Sequence, residues 1–174
     1  MLTITVDLKI PGLRRLQAIL DSQAYPPVIV QAVKEGAKIF RTWLYDRFEM
    51  LSAGGADEHG VGWEPLAAST LKGKKSNRGI LRDTDTLIDA LDPEGGAPGS
   101  RETIDGMSFE VGYGGGAIHP GGITINQLAQ LHQFGTTKMP ARTLVVEPPP
   151  HILHEITKVY GRAWRKFAKE LINP

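Results

Sequence analysis

The sequence predicts an α+β fold: two long amphipathic helices packed on a small, mainly antiparallel β-sheet, with long glycine-rich loops. Three observations predict it. Apolar residues recur at steps of three and four from Ile29 to Leu51 and again from Ile152 to Leu171, the period of a helix with one buried stripe. Strict alternation from Thr3 to Ile10 marks a half-buried strand, and the segments on either side of Asp105-Gly106 read as a hairpin. Repeating strand–helix units opening on a phosphate loop are missing, which disfavours a parallel, doubly wound sheet. With 174 residues the chain is expected to form one domain, 1–174, around one core.

Thr3 to Ile10 places Ile4, Val6, Leu8 and Ile10 on one face of a strand that Pro11-Gly12 ends. Leu13 to Leu20 has the spacing of a short helix. Pro26 and Pro27 open the first long helix, where a missing amide hydrogen costs nothing because first-turn amides have no helical partner. Its apolar stripe reads Val33, Ala37, Phe40, Leu44, Phe48 and Leu51, and its polar face Lys34, Glu35, Lys38, Arg41, Asp46 and Glu49. Asp83 and Asp85 suit the N-cap of a short helix over Thr86 to Leu91. Thr103 to Asp105 and Met107 to Tyr113 form a hairpin turning at Asp105-Gly106. Asn126 to Phe134 is a short helix with Leu128, Leu131 and Phe134 inward, and Gly135 stops it. Pro140 to Val146 is extended, with Leu144 to Val146 strand-like. Pro148-Pro149-Pro150 starts the last helix, which points Ile152, Ile156, Val159, Ala163, Phe167 and Leu171 inward and Lys158, Arg162, Arg165, Lys166 and Lys169 outward.

Gly 20 and Pro 12 are clustered rather than periodic, so mobile loops are expected at 52–79, 92–101 and 113–123. The absence of cysteine excludes disulfides, thiolate zinc sites and a cysteine nucleophile. An early acid in the alternating N-terminus argues against a signal peptide, and no apolar run reaches the length of a membrane span, so no membrane association is expected. The formal net charge of +1 hides a segregation. Residues 1–45 carry six basic and three acidic side chains, 46–110 seven and thirteen, and 138–174 seven and three. Basic ends and an acidic middle either steer one subunit against the next or are ordinary solvated faces.

No stretch of the sequence has the residue pattern of a known catalytic or nucleotide-binding motif. Gly73-Lys74-Lys75-Ser76 lacks the earlier glycine and the preceding strand of a phosphate loop. His151 and His154, followed by Glu155, are not in the order that sets a base between two zinc ligands, and no third ligand is evident. Asp83, Asp85 and Asp89 are explained by a helix start. No serine has a nucleophile-elbow context. The expectation is therefore no enzyme, no catalytic residue, no metal, no cofactor and no small-molecule substrate. Direct nucleic-acid binding is the competing reading, using Lys72, Lys74, Lys75, Arg78 and Arg82 with the basic face of the last helix.

An ordered series of short signatures adds to this. Gly62-Trp63-Glu64-Pro65-Leu66, Thr70, the lysine-rich stretch and Ile80-Leu81-Arg82-Asp83-Thr84-Asp85-Thr86-Leu87 come first. Phe109-Glu110-Val111-Gly112, Ala129-Gln130-Leu131-His132-Gln133-Phe134-Gly135 and Met139-Pro140-Ala141-Arg142 follow. Over residues 25–171 this series resembles the phage virion morphogenesis family and related tail-completion and neck proteins. Asp85 departs from it, standing where glycine is common in that family, and the Gly114 to Gly122 stretch reads as an insertion-like loop. The resemblance implies a structural part of a tailed phage or prophage that joins or completes the head–tail neck or tail end. It implies a ring-forming homo-oligomer meeting connector or tail proteins, located in the bacterial cytoplasm during assembly and then in the virion. Candidate interaction residues are Trp63, Leu66, Lys72, Lys74, Lys75, Arg78, His132, Phe134, Arg142, Arg162 and Arg165. Trp63 either docks a partner or tacks its loop onto the chain's own core. Arg142 pairs with a carboxylate either across an interface or within the fold.

Overall fold

A computed structural model describes residues 2–6, 26–74, 79–105, 108–114 and 116–172. The expected helix at Leu13 to Leu20, the strand beyond Val6, Gly106 of the expected turn, and Lys75 and Arg78 lie outside the described residues. The architecture is α+β. In chain order it runs β1 (Leu2–Val6), α1 (Pro27–Ser52), α2 (Ala68–Gly73), α3 (Thr86–Asp89), β2 (Ser100–Asp105), β3 (Ser108–Tyr113), α4 (Ile125–Phe134) and α5 (Pro150–Ile172).

The sheet is antiparallel in the order β1-β3-β2, with β3 central. Leu2 lies opposite Tyr113 and Val6 opposite Phe109 on one side, and Ser100 opposite Tyr113 and Asp105 opposite Ser108 on the other. The alternation of β3 sends Phe109, Val111 and Tyr113 into the core.

α1 is the centre of the domain. Its predicted stripe of Val33, Ala37, Phe40, Leu44, Phe48 and Leu51 is buried throughout, and Phe40 meets Phe109 of β3 with ring centroids 6.1 Å apart. α5 packs against α1 rather than directly on the sheet. Gly36 allows that approach: a Cβ there would stand 3.0 Å from the Tyr160 ring and 3.3 Å from Ile156. Ile152, Ile156, Val159 and Ala163 are buried as the period predicts, joined by Tyr160.

Because α1 is covered on more than one side, Arg41 does not face solvent as its polar identity suggested. It is 1% exposed, with Nη1 donating to Ser100 Oγ at 2.5 Å and Nη2 to Glu102 Oε2 at 2.8 Å. Arg47, also buried, binds Asp57 Oδ2 at 3.1 Å and the Thr143 carbonyl at 3.0 Å. Charges held away from water survive only with such partners.

Other expectations need correction. A helical turn, α2, stands within the stretch read as loop 52–79, and β2 begins at Ser100, inside the expected loop 92–101. The α3 helix stops at Asp89 rather than Leu91, and Asp85 does not cap it with its side chain. Its carboxylate is taken instead by Arg82, at 2.5 Å. Leu144 to Val146 joins no strand ladder. The amides of Leu144 and Val145 donate to Gln133 Oε1 at 2.7 and 3.0 Å, and Gln133 Nε2 donates to the Val145 carbonyl at 3.0 Å. One glutamine side chain thus replaces a neighbouring strand.

Candidate functional site

Three short elements and two loops enclose a cleft of about 660 Å³, with no residue of α5 in its lining. Glu64, Pro65, Leu66 and Ala67 form one wall, and Thr70, Gly73 and Lys74 of the α2 region continue it. Leu81, Asp83, Thr84, Thr86 and Leu87 come from the approach to α3, Leu128 and His132 from α4, and Lys138, Met139, Pro140 and Arg142 from the segment after it. The volume lies in the ordinary range for ligand or peptide pockets, ~300–1,000 Å³.

The walls are held by local chemistry. Trp63 is 7% exposed; its indole meets the edge of Phe48 with centroids 5.0 Å apart and donates from Nε1 to the Thr143 carbonyl at 3.2 Å. It is an internal anchor, and the docking reading of this residue is corrected. Leu66, the next apolar residue, is half-buried at the cleft. Thr124 and Gln127 start α4 with a reciprocal capping box, Gln127 N donating to Thr124 Oγ1 at 3.1 Å and Thr124 N to Gln127 Oε1 at 3.0 Å. Gly135 ends it at φ 71°, where a Cβ would meet the Ala141 amide nitrogen at 2.7 Å.

α4 buries Ile125 and Ala129, with Leu128 partly buried, and so turns Leu131 and Phe134 outward. Phe134 is 73% exposed, opposite to the inward placement expected of it. It stands beside Leu131, Ile123 and Gln130 on the outer surface.

His132 looks into the cleft. Burial first, then electrostatic repulsion from Arg142 and, more weakly, from the His119 side, push its pKa down to about 4, which leaves a neutral imidazole near neutral pH. Its Nδ1 is buried and has no partner among the described residues. His119, expected in an exposed loop, also lines the cleft: its Nδ1 accepts from the Gly121 amide at 3.0 Å, which assigns the proton to Nε2, 3.1 Å from Thr84 Oγ1.

Arg142 is 4% exposed, and its backbone amide donates to the His132 carbonyl at 2.6 Å. Its Nη2 donates to the Glu64 carbonyl at 3.2 Å, while Nε has no partner among the described residues. Burial lowers its pKa and the Glu64 charge partly offsets this, but a guanidinium stays protonated.

The remaining candidates are scattered. Lys72 is exposed on α2, and Lys74 bends back to donate to the Gly79 carbonyl. Arg162 and Arg165 lie on the outer face of α5, Arg162 3.6 Å from Glu35. His151 pairs loosely with Glu58 at 3.4 Å, and among the described residues no group of three or more His, Asp or Glu side chains is placed to hold a metal. None of the described helices is long and apolar enough to cross a membrane. Compared with known proteins, the chain matches no family, no curated protein and no solved structure.

Proposed function

We propose that the chain is a structural part of tailed-phage or prophage assembly, joining or completing the head–tail neck or tail end, and that it works by docking and not by turnover. The observation that carries the reading is that most of the signature series, all but the Phe109 to Gly112 piece on β3, meets at one place. Glu64-Pro65-Leu66, Thr70, Leu81, Thr86-Leu87, His132, Pro140 and Arg142, drawn from four separate stretches of sequence, line one cleft. Residues this far apart have no local reason to occur in a fixed order, but a shared surface gives them one.

The departure at Asp85 also fits. That residue has φ 55°, in the left-handed region that favours glycine and that aspartate tolerates better than most side chains. On the outer surface of α4, exposed Phe134 and Leu131 supply the apolar contact that assembly needs.

Light scattering of the purified chain over a range of concentration, alone and with portal or tail components, tests the reading. It expects self-association or a defined complex. A chain that stays monomeric and captures none of these components overturns it. The basic outer face of α5, with Lys158, Arg162, Arg165, Lys166 and Lys169 exposed, supports a second reading as a DNA-binding protein. That reading requires duplex binding that falls steeply with salt.

A further inference from the structure

The described part of the chain buries three arginines, and they are not served alike. Arg41 has the Glu102 carboxylate and the Ser100 hydroxyl, and Arg47 has the Asp57 carboxylate and the Thr143 carbonyl. Arg142 is as deeply buried, yet among the described residues its side chain makes one hydrogen bond, to a backbone carbonyl, and no ion pair. A guanidinium presents five N–H donors in a flat fork that matches the two oxygens of a carboxylate. The other two buried arginines receive one; the arginine lining the cleft does not.

We propose that the cleft between α2, α3 and α4 binds an extended segment of a partner protein through a single Asp or Glu side chain seated on Arg142, with aliphatic residues flanking it. The remaining groups argue for that chemistry. Leu66, Leu81, Leu128 and Met139 make much of the lining apolar, which suits aliphatic neighbours on either side of the acid. His132, with an unpartnered Nδ1, adds a second polar group in the same cleft as Arg142. Lys138, exposed at the rim, favours approach of a negative segment. Glu64 and Asp83 also line the cleft and would repel a run of acids, so one carboxylate between apolar residues fits better than an acidic tract or a nucleic-acid backbone.

This ligand class follows from the cleft's own groups. A chain that bound such a segment but no neck or tail component would keep this site and lose the assembly reading. The test is NMR titration of the full isotope-labelled chain with acetyl-Leu-Asp-Leu-amide, its Asn counterpart and acetate, following the Arg142 Nε–Hε and His132 ring signals. The Asp peptide is expected to bind about ten- to a hundredfold more tightly than the Asn peptide, the margin of a charge-assisted hydrogen-bonded pair. Acetate, lacking the flanks, binds more weakly than the Asp peptide while moving the same signals. Arg142→Lys keeps the charge but loses the fork, and lowers the Asp-over-Asn preference severalfold. Equal binding of the two peptides, acetate as tight as the Asp peptide, or an Arg142 signal that does not move would each overturn the proposal. The peptide comparison uses the unaltered chain and so does not depend on a variant folding.

Discussion

Replacing Trp63 by alanine separates an internal anchor from a docking residue. The ring is almost fully buried, packs edge-on against Phe48 and bonds the Thr143 carbonyl. Burying an indole removes ~200 Å² from water, worth about 5 kcal/mol at ~25 cal/mol per Å², an upper figure because the denatured chain is already partly collapsed. The aromatic edge contact and the hydrogen bond contribute roughly 1 kcal/mol each. Relaxation of the site recovers part of this, so Trp63→Ala should cost about 3–5 kcal/mol. Trp63→Phe keeps the packing and loses the bond, leaving the Thr143 carbonyl short of one donor, for a cost of about 1–2 kcal/mol. Urea unfolding followed by far-UV circular dichroism measures both, with an unchanged slope and a lower midpoint expected. A loss below ~1 kcal/mol in the alanine variant, well under the cavity range, would refute the internal-anchor account, as would equal losses in the two variants.

Three further outcomes follow from the same structure. His132 is neutral and shielded when folded but titrates near 6.5 when unfolded, so its contribution is complete above that pH and is lost as pH falls toward about 4. Fully shielded this would be about 3 kcal/mol; halved for solvent at a part-exposed ring it is ~1.5 kcal/mol, or about 3–6 °C in Tm. His132→Asn should flatten that decline in a thermal scan series, and an unchanged slope would count against it. For Asp57, burial opposes ionisation, but the Val61 and His59 amides and Arg47 outweigh it and hold the carboxyl below its usual value. Its stabilisation is therefore present above the ordinary carboxylate pKa and lost as pH falls through the folded one. Asp57→Asn should cost about 3 kcal/mol at pH 7, and less in acid; an equal loss at both pH values in urea titrations would be inconsistent with this. Phe134→Ser should change stability by no more than about 0.5 kcal/mol, since the ring is already in water, while weakening assembly contacts. Sizing chromatography beside an unfolding curve distinguishes the two effects.

The long helices were legible in the sequence because each buries a continuous stripe, and a stripe repeated over several turns has one explanation. Arg41 was not. Side-chain polarity predicts the solvent face only for a helix covered on one side, and α1 is flanked by both sheet and helix. The α2 helix has six residues and buries none of them, so it leaves no periodic signal. α4 carries apolar residues on two stripes, and spacing does not say which one faces the core; the chain uses Ile125 and Ala129 and leaves Phe134 outside. The cleft was invisible as a site because Glu64 and Arg142 are 78 positions apart. Only the order of the signatures, and not any one spacing, hinted that they belong together.

The three bonds of Gln133 have a consequence for its neighbours. The side chain is keyed into the backbone at Leu144 and Val145, and the His132 carbonyl is held by the Arg142 amide. α4 cannot turn about its axis without breaking this set. Leu131 and Phe134 are therefore displayed at a fixed angle before any contact is made. On the proposed docking function, the entropy of aligning them would be lost during folding, and a partner would meet a template that needs no rearrangement.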